Sequence, residues 1–347
     1  MYTKRTRSRG RLRTVGLLAV IGSLVAGCGG SDGDGGGDGG GSSEDPIQVA
    51  FFGPLANTYV EATLAGMDEA AEGGKAEVTK FDSGFDASKQ FSQIQDAITQ
   101  GRFDAFIIIP LDAAALVPAV EEAIAADIAV INTDLTLGPE TDTSDPQIEG
   151  QAGTVVNPPS SRGERVVEAI VAACEDLDPC NVGYMAGEPD FDFEREAKEG
   201  LDAISDDNPN IHVVSYQSGH GYVAEPAIGI AQNMLQANPE MNVLMVTSDQ
   251  ASAGAEQALE DAGRLEDIRL VSSGGSCPAV QAVEEGRWFA TIIDLPKTEG
   301  RLGMEIAIDW VNGDETEPQG LNPLDALDRD PFVTQENLGD FECEWEG

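Results

Sequence analysis

The sequence predicts an α/β protein made of two similar, doubly wound parallel-sheet lobes. Three observations carry that expectation. Beyond Pro46, short strand-like apolar runs alternate with helix-periodic segments. Many of the runs are apolar throughout, as strands are when helices cover both faces of a parallel sheet. The pattern is also written twice, with about four βα units on each side of a polar stretch from Gly138 to Gly150. That stretch is equally compatible with a long surface loop inside one large sheet, but a length of 347 residues and the repeat of the pattern favour two lobes.

The chain opens with an address. Lys4, Arg5, Arg7, Arg9, Arg11 and Arg13 precede an apolar run from Val15 to Ala26, the arrangement of a secretory signal peptide over residues 1–27. The run is too short to span a bilayer comfortably. Leu24-Val25-Ala26-Gly27-Cys28 resembles a bacterial lipobox, in which cleavage precedes the Cys and its thiol is lipidated; the plainer reading is an ordinary cleaved signal with an incidental Cys. Between Gly29 and Gly41, nine of thirteen residues are Gly and the rest are Ser or Asp, so residues 28–46 form a flexible tether. Its r.m.s. reach is on the order of 24 Å, enough to let a domain swing just above a membrane.

Strands are expected at Gln48–Phe52, Glu77–Phe81, Ala105–Ile109, Ile128–Asn132 and Thr154–Asn157, then at Asn181–Met185, His212–Tyr216, Val243–Thr247, Arg269–Ser272 and Phe289–Ile293. Helical periodicity fills most gaps between them. In Tyr59–Ala71, for example, Val60, Leu64, Met67 and Ala71 share one face. The other helical stretches are Ser88–Thr99, Ala113–Ala125, Gly163–Cys174, Phe193–Ile204, Pro226–Gln236, Ala253–Asp261, Pro278–Glu284 and Gly300–Val311.

Composition narrows the function. Sixty-two acidic against twenty basic residues give a formal charge of −42, and loss of the signal peptide, with its six basic residues, leaves about −48. Such a field repels phosphate backbones and anionic headgroups, so nucleic acid is not an expected partner and the membrane is met only through an N-terminal lipid. A surface this acidic and poor in Lys also suits salty surroundings. With two histidines and no Cys/His cluster, no metal site and no cofactor are expected. Ser160-Ser161-Arg162 and Ser272-Ser273-Gly274-Gly275-Ser276 read as loops, because no Gly-x-Ser-x-Gly or Gly-Lys-Ser/Thr accompanies them. Of five cysteines, Cys28 is assigned to lipid. Cys174, Cys180, Cys277 and Cys343 remain for two disulfides in an oxidising compartment. Cys174 and Cys180 bracket a short loop that can close locally, which by elimination leaves Cys277 with Cys343, although three pairings are formally open.

Several motifs, in order and at matching spacing, resemble the sugar-type periplasmic binding proteins, the solute receptors of ABC importers related to ribose- and galactose-binding proteins. These are Leu55-Ala56-Asn57-Thr58-Tyr59-Val60 with Gly66, Ala105 to Asp112, Ile128 to Asp134, Gly187-Glu188-Pro189 with Arg195 and Gly200, Asn233 to Asp249, and Ala290 to Pro296. The resemblance runs from about Ile47 to Gly313. It implies two lobes joined by a three-strand hinge, with crossings near Asn157, Asp294–Pro296 and Leu321–Pro323. The first lobe would hold residues 47–157 and 295–322, the second 158–294 and 323–347, with Cys343 returning towards Cys277.

A sugar or polyol site needs side chains that pair hydroxyls and aromatic faces that cover C–H surface. Asp134 ends an apolar strand, where its carboxylate can accept two hydroxyls or simply cap a helix. Asn57 and Tyr59 lie on a strand-to-helix turn, where Asn57 can also serve as an N-cap. The resemblance makes Tyr222 the stacking aromatic of the second lobe and Asp294 a polar contact on a crossing strand. It adds Asp249, Ser248, Phe191 and Arg195 more weakly. Departures matter too. An Arg common after the first-lobe Asp is Leu135 here, a second Arg position holds Ala197, and a late-strand Asp position holds Gly274, so two bidentate donors are expected to be missing. A pocket that has lost them suits a ligand with fewer hydroxyls: a polyol, a cyclitol, a deoxysugar or a non-sugar ligand with an apolar face. The resemblance thus implies a monomeric, non-enzymatic receptor, anchored by lipid to the outer face of the cell membrane, that captures a small ligand between its lobes and delivers it to an ABC permease. The rivals are a sensory lipoprotein of the same fold and a secreted α/β hydrolase.

Overall fold

The computed structural model describes residues 45–219 and 222–347. The signal peptide, most of the tether, Cys28 and His220 lie outside the described residues. In chain order the elements begin β1 (Ile47–Gly53), α1 (Thr58–Ala70), β2 (Ala76–Asp82), α2 (Ala87–Gln100), β3 (Ala105–Ile108), α3 (Ala113–Ala125), β4 (Ala129–Thr133) and β5 (Gly153–Val155). They continue α4 (Pro159–Ala173), β6 (Cys180–Ala186), α5 (Asp192–Asp207), β7 (Ile211–Ser218), α6 (Ala224–Ala237), β8 (Val243–Val246), α7 (Asp249–Asp261), β9 (Arg269–Gly274), α8 (Cys277–Glu284) and β10 (Ala290–Ile293). Helix α9 (Pro296–Asn312), β11 (Gln319–Leu321), a 3-10 turn at Pro323–Ala326 and β12 (Phe332–Thr334) complete the fold.

Two six-stranded sheets result. The first has the order β11-β5-β4-β3-β1-β2 and is parallel throughout. The second has the order β12-β10-β9-β8-β6-β7 and is parallel except for β12, which runs antiparallel along β10. The chain changes sheets after β5, after β10 and after β11. Strands β11 and β12 escaped the sequence reading because three residues each, flanked by Asp, Pro and Asn, carry no measurable periodicity.

Each sheet is buried on both faces, which explains the uniformly apolar strands. Val49 and Phe51 of β1 pack towards α1 and α9, whereas Ala50 and Phe52 turn to α2 and α3. In the second sheet Val182 and Tyr184 of β6 face the α4–α5 layer, and Met185 faces α6 and α7. Disulfides join Cys174 to Cys180 and Cys277 to Cys343.

Helices α1 and α9 meet more closely than side chains allow. A Cβ on Gly66 would lie 1.8 Å from the Lys297 carbonyl oxygen, and one on Gly300 1.8 Å from that of Thr63. The two glycines let α9, which directly follows the β10 crossing, settle against α1 and the first sheet. Gly66→Ala is therefore expected to push the helices apart and to cost about 1–3 kcal/mol in urea unfolding; a variant as stable as the parent would show that the contact is not a packing constraint.

Candidate functional site

The lobes enclose a cavity at the carboxyl ends of their strands, the usual ligand position in open α/β folds. Its volume is about 60 Å³.

Its charged centre is a three-part cluster. Arg162, in the first turn of α4, places Nη1 3.0 Å from Asp134 Oδ1 and Nη2 3.3 Å from Asp294 Oδ2. The guanidinium also lies 4.0 Å above the Phe193 ring. Asp134 follows β4 of the first lobe, Asp294 follows β10 on a crossing, and Arg162 comes from the second lobe, so the cluster ties all three together. Burial works against the charge of Arg162, but Asp294 and Asp134 outweigh it and hold its pKa well above the ordinary value. Burial raises Asp134, with Arg162 pulling the other way. Among the described residues, Arg162 Nε–H is buried without a protein partner, a donor free for a ligand oxygen.

Asp134 adopts φ +61°, a left-handed conformation that Asp tolerates better than most residues. The turn is held by Asn132, whose Nδ2 donates to the Leu135 carbonyl at 2.8 Å. Beside it, the Tyr59 hydroxyl donates to Glu299 Oε2 at 3.0 Å. Burial, then Asp134 and Asp294, push the Glu299 carboxyl well above the usual carboxylate range. Asn57 is the N-cap of α1, its Oδ1 accepting from Tyr59 N at 2.9 Å, so its N–H donors are what it can offer a ligand.

Aromatic groups form the other walls. Tyr222 stacks on Phe191 with centroids 6.1 Å apart, and Phe85 of the first lobe lies 6.3 Å from Tyr222. Ser248, the N-cap of α7, lines the cavity together with Thr247, Gln250 and Ser273. The lobes are latched at the rims. Gln250 Nε2 donates to Thr58 Oγ1 at 2.9 Å, Thr136 Oγ1 to Asp192 at 2.9 Å and Thr141 Oγ1 to Glu196 at 2.6 Å.

Of the residues expected from sequence, Asn57, Tyr59, Asp134, Phe191, Tyr222, Ser248 and Asp294 line the cavity. Arg195 does not: it is largely exposed, pairs with Asp192 and the Asp190 carbonyl, and borders a separate groove. Asp249 does not either. Its carboxylate sits behind the wall, where Ser272 and Thr291 hydroxyls and the Ser276 N–H at 2.7 Å donate to it. Positions 135 and 197 carry no cation; one guanidinium, that of Arg162, reaches the cavity from α4, which a Ser-Ser-Arg loop reading passed over. Its place follows from packing: Gly163 brings α4 so close to Ala197 that a Cβ there would meet the Ala197 nitrogen at 2.7 Å. Phe193, one turn before Ala197, thereby comes under the guanidinium. Phe85, Phe193 and Trp345 were also missed, since no local signal marks them.

Fold and cavity together define a two-lobed binding protein that closes around a small molecule. The chain belongs to the periplasmic binding protein domain family, whose domain spans residues 49–315. It is 26% identical over 271 residues to the ribose import binding protein of Bacillus subtilis (strain 168), covering 78% of this chain and 83% of that one. It is 23% identical over 275 residues to a xylitol-binding protein of Mycolicibacterium smegmatis, covering 79% and 75% of the two chains. In fold it resembles an ABC transporter solute-binding protein from Bacillus halodurans C-125 with bound myo-inositol, at TM-score 0.74 and 21% identity over 88% of this chain and 99% of that one. One from Actinobacillus succinogenes 130z with bound D-allose gives TM-score 0.72 and 24% identity over 85% and 100%. The protein is a solute-binding protein of the kind that serves ABC importers.

Burial pushes Asp249 up to about 6, against the hydrogen bonds from Ser272 and Ser276. An acid whose folded pKa is raised holds its proton more tightly when folded. The stabilisation is full below an unfolded value of about 4 and is lost as pH rises through the folded value. The stability advantage of wild type over Asp249→Asn should shrink by on the order of 3 kcal/mol between pH 4 and 7. Parallel pH–stability curves from urea melts would refute this.

Proposed function

We propose that the protein captures one small polyhydroxylated molecule with an apolar face, a monosaccharide or a polyol, between its lobes and delivers it to an ABC permease. The observation that carries this reading is the Arg162 cluster: two carboxylate acceptors and an unpartnered guanidinium N–H from three parts of the chain, bordered by aromatic rings. Carboxylates and a guanidinium together pair both the donor and the acceptor side of neighbouring hydroxyls. Phe191, Tyr222 and Phe85 offer faces for C–H surface. Leu135, directly after Asp134, makes one wall apolar and favours ligands with a missing or turned-away hydroxyl. The ribose, xylitol, myo-inositol and allose of its relatives and neighbours support the ligand class.

Closure follows from the cluster. Ligand that bridges Asp134 of the first lobe and Arg162 of the second has both contacts only when the lobes are shut, so binding shifts the population to the closed state. The permease would then meet a rim whose shape reports occupancy. No helix among the described residues is long and apolar enough to cross a membrane. Attachment through a lipid on Cys28 and a 28–46 tether, with the folded part a monomer, completes the proposal.

A thermal-shift panel of D-ribose, D-allose, xylitol, myo-inositol, deoxysugars, nucleosides and amino acids tests the ligand class. A hundredfold excess over Kd adds about 2.7 kcal/mol, a shift of a few degrees. Stabilisation by an amino acid or nucleoside and by none of the polyhydroxylated compounds would overturn the reading. With the ligand in hand, Arg162→Met is expected to weaken binding by at least about a hundredfold, because two buried carboxylates lose their counter-ion. Asp134→Ala and Tyr222→Ala should each cost about 1–2 kcal/mol. Arg195→Ala should leave calorimetric affinity within about twofold, since an exposed pair contributes little.

A further inference from the structure

Trp345 is only 3% exposed, although it follows the last strand by eleven residues and belongs to a segment with no regular structure. Its indole lines the ligand cavity and meets Tyr59 edge to face, with centroids 5.6 Å apart at 75°. Three separate attachments seat it. The preceding Cys343 is bonded to Cys277 at the start of α8. The Glu344 carboxylate accepts from Thr298 N at 3.0 Å and Thr298 Oγ1 at 2.8 Å in the first turn of α9. The Trp345 carbonyl accepts from Cys277 N at 2.8 Å. The segment therefore holds α8 of the second lobe and α9 of the first at once.

The space that Trp345 fills is left by Gly274, the last residue of β9. There a Cβ would lie 2.9 Å from Trp345 Cζ2 and 2.5 Å from Asp249 Oδ2, and φ is +146°. The indole Nε1–H donates to the Gly274 carbonyl at 3.0 Å, which satisfies the only polar atom of the ring. What remains for the cavity is its carbon surface. We propose that Trp345 is a ligand-contacting, specificity-determining residue: an apolar wall supplied by the segment after β12 where the end of β9 carries no side chain, and seated by the Cys277–Cys343 disulfide. This rests on the cavity being the ligand site. A wall of indole carbon at this point selects ligands that present C–H surface, not a hydroxyl, to the end of β9.

The test uses purified protein labelled with 5-fluorotryptophan, whose three tryptophans give three ¹⁹F resonances, with Trp345 assigned from Trp345→Phe. The probes are D-ribose, D-allose, xylitol and myo-inositol, and the one that binds wild type by calorimetry is carried forward. At saturation it should move the Trp345 resonance more than those of Trp288 and Trp310. Trp345→Ala should lose about tenfold or more in affinity and Trp345→Phe much less, since the smaller ring keeps most of the apolar contact. The Cys277→Ser, Cys343→Ser pair should weaken binding as Trp345→Ala does. An unmoved resonance at saturation, or unchanged affinity in a folded Trp345→Ala variant, overturns the proposal. If Trp345→Ala fails to fold, the ¹⁹F response and Trp345→Phe still decide. Should none of the four probes bind, the proposal is decided without ligand. The ligand-free spectra then test the seat: the cysteine pair exchange must shift Trp345 towards the free amino acid, and an unchanged resonance refutes the proposal.

Discussion

A guanidinium in a water-poor cleft needs anions facing it, and here they are drawn from different parts of the chain. Arg162 enters with the second lobe, Asp134 with the first, and Asp294 with the strand that joins them. Much of the local structure serves that meeting. Asp134 accepts a left-handed backbone to reach it, Gly163 lets α4 and α5 touch so that Phe193 lies beneath the cation, and the β10 crossing delivers Asp294 from the opposite side. Breaking such a cluster leaves an uncompensated buried charge, a larger cost than the pair's own contribution to stability. The cluster is thus better understood as a device for closing and recognising than as a source of stability.

The acids around it divide into two roles by environment. Asp134 and Asp294 face the cation and can keep acceptor capacity for a ligand. Glu299 has the two aspartates and no ion-pair partner of its own, and its environment favours the neutral form. Tyr59 donates its hydroxyl to that carboxyl at 3.0 Å.

The fold was legible because it rests on repetition. Uniformly apolar strands such as Ala105–Ile108 and amphipathic helices such as α1 announce a doubly covered sheet without long-range information. Asp134 and Asn57 were legible for a related reason: a polar residue closing an apolar strand, or opening a helix, sits at the strand ends where such folds bind ligands. Arg162 was not. Its role depends on Gly163 of its own helix meeting Ala197 of α5, and nothing in Pro-Pro-Ser-Ser-Arg-Gly states which element lies opposite. Asp249 misled in the other direction, since a strand-to-helix Asp reads the same whether it faces the cleft or the hydroxyls of Ser272 and Thr291 behind it.

The departures from the sugar-receptor pattern therefore form a connected set instead of a series of losses. Ala197 carries no side chain long enough to reach the cleft because α4 occupies that space, and α4 brings its own arginine. Gly274 carries none because Trp345 occupies that space, held there by a disulfide and a capped helix end. In the first place a cation reaches the cleft from α4; in the second an aromatic ring lines it. Leu135 has no replacement in its own position. A pocket rebuilt in this way keeps one strong hydroxyl-reading centre at the hinge and surrenders polarity elsewhere, which is the physical basis for expecting a ligand with fewer hydroxyls than the pattern alone would suggest.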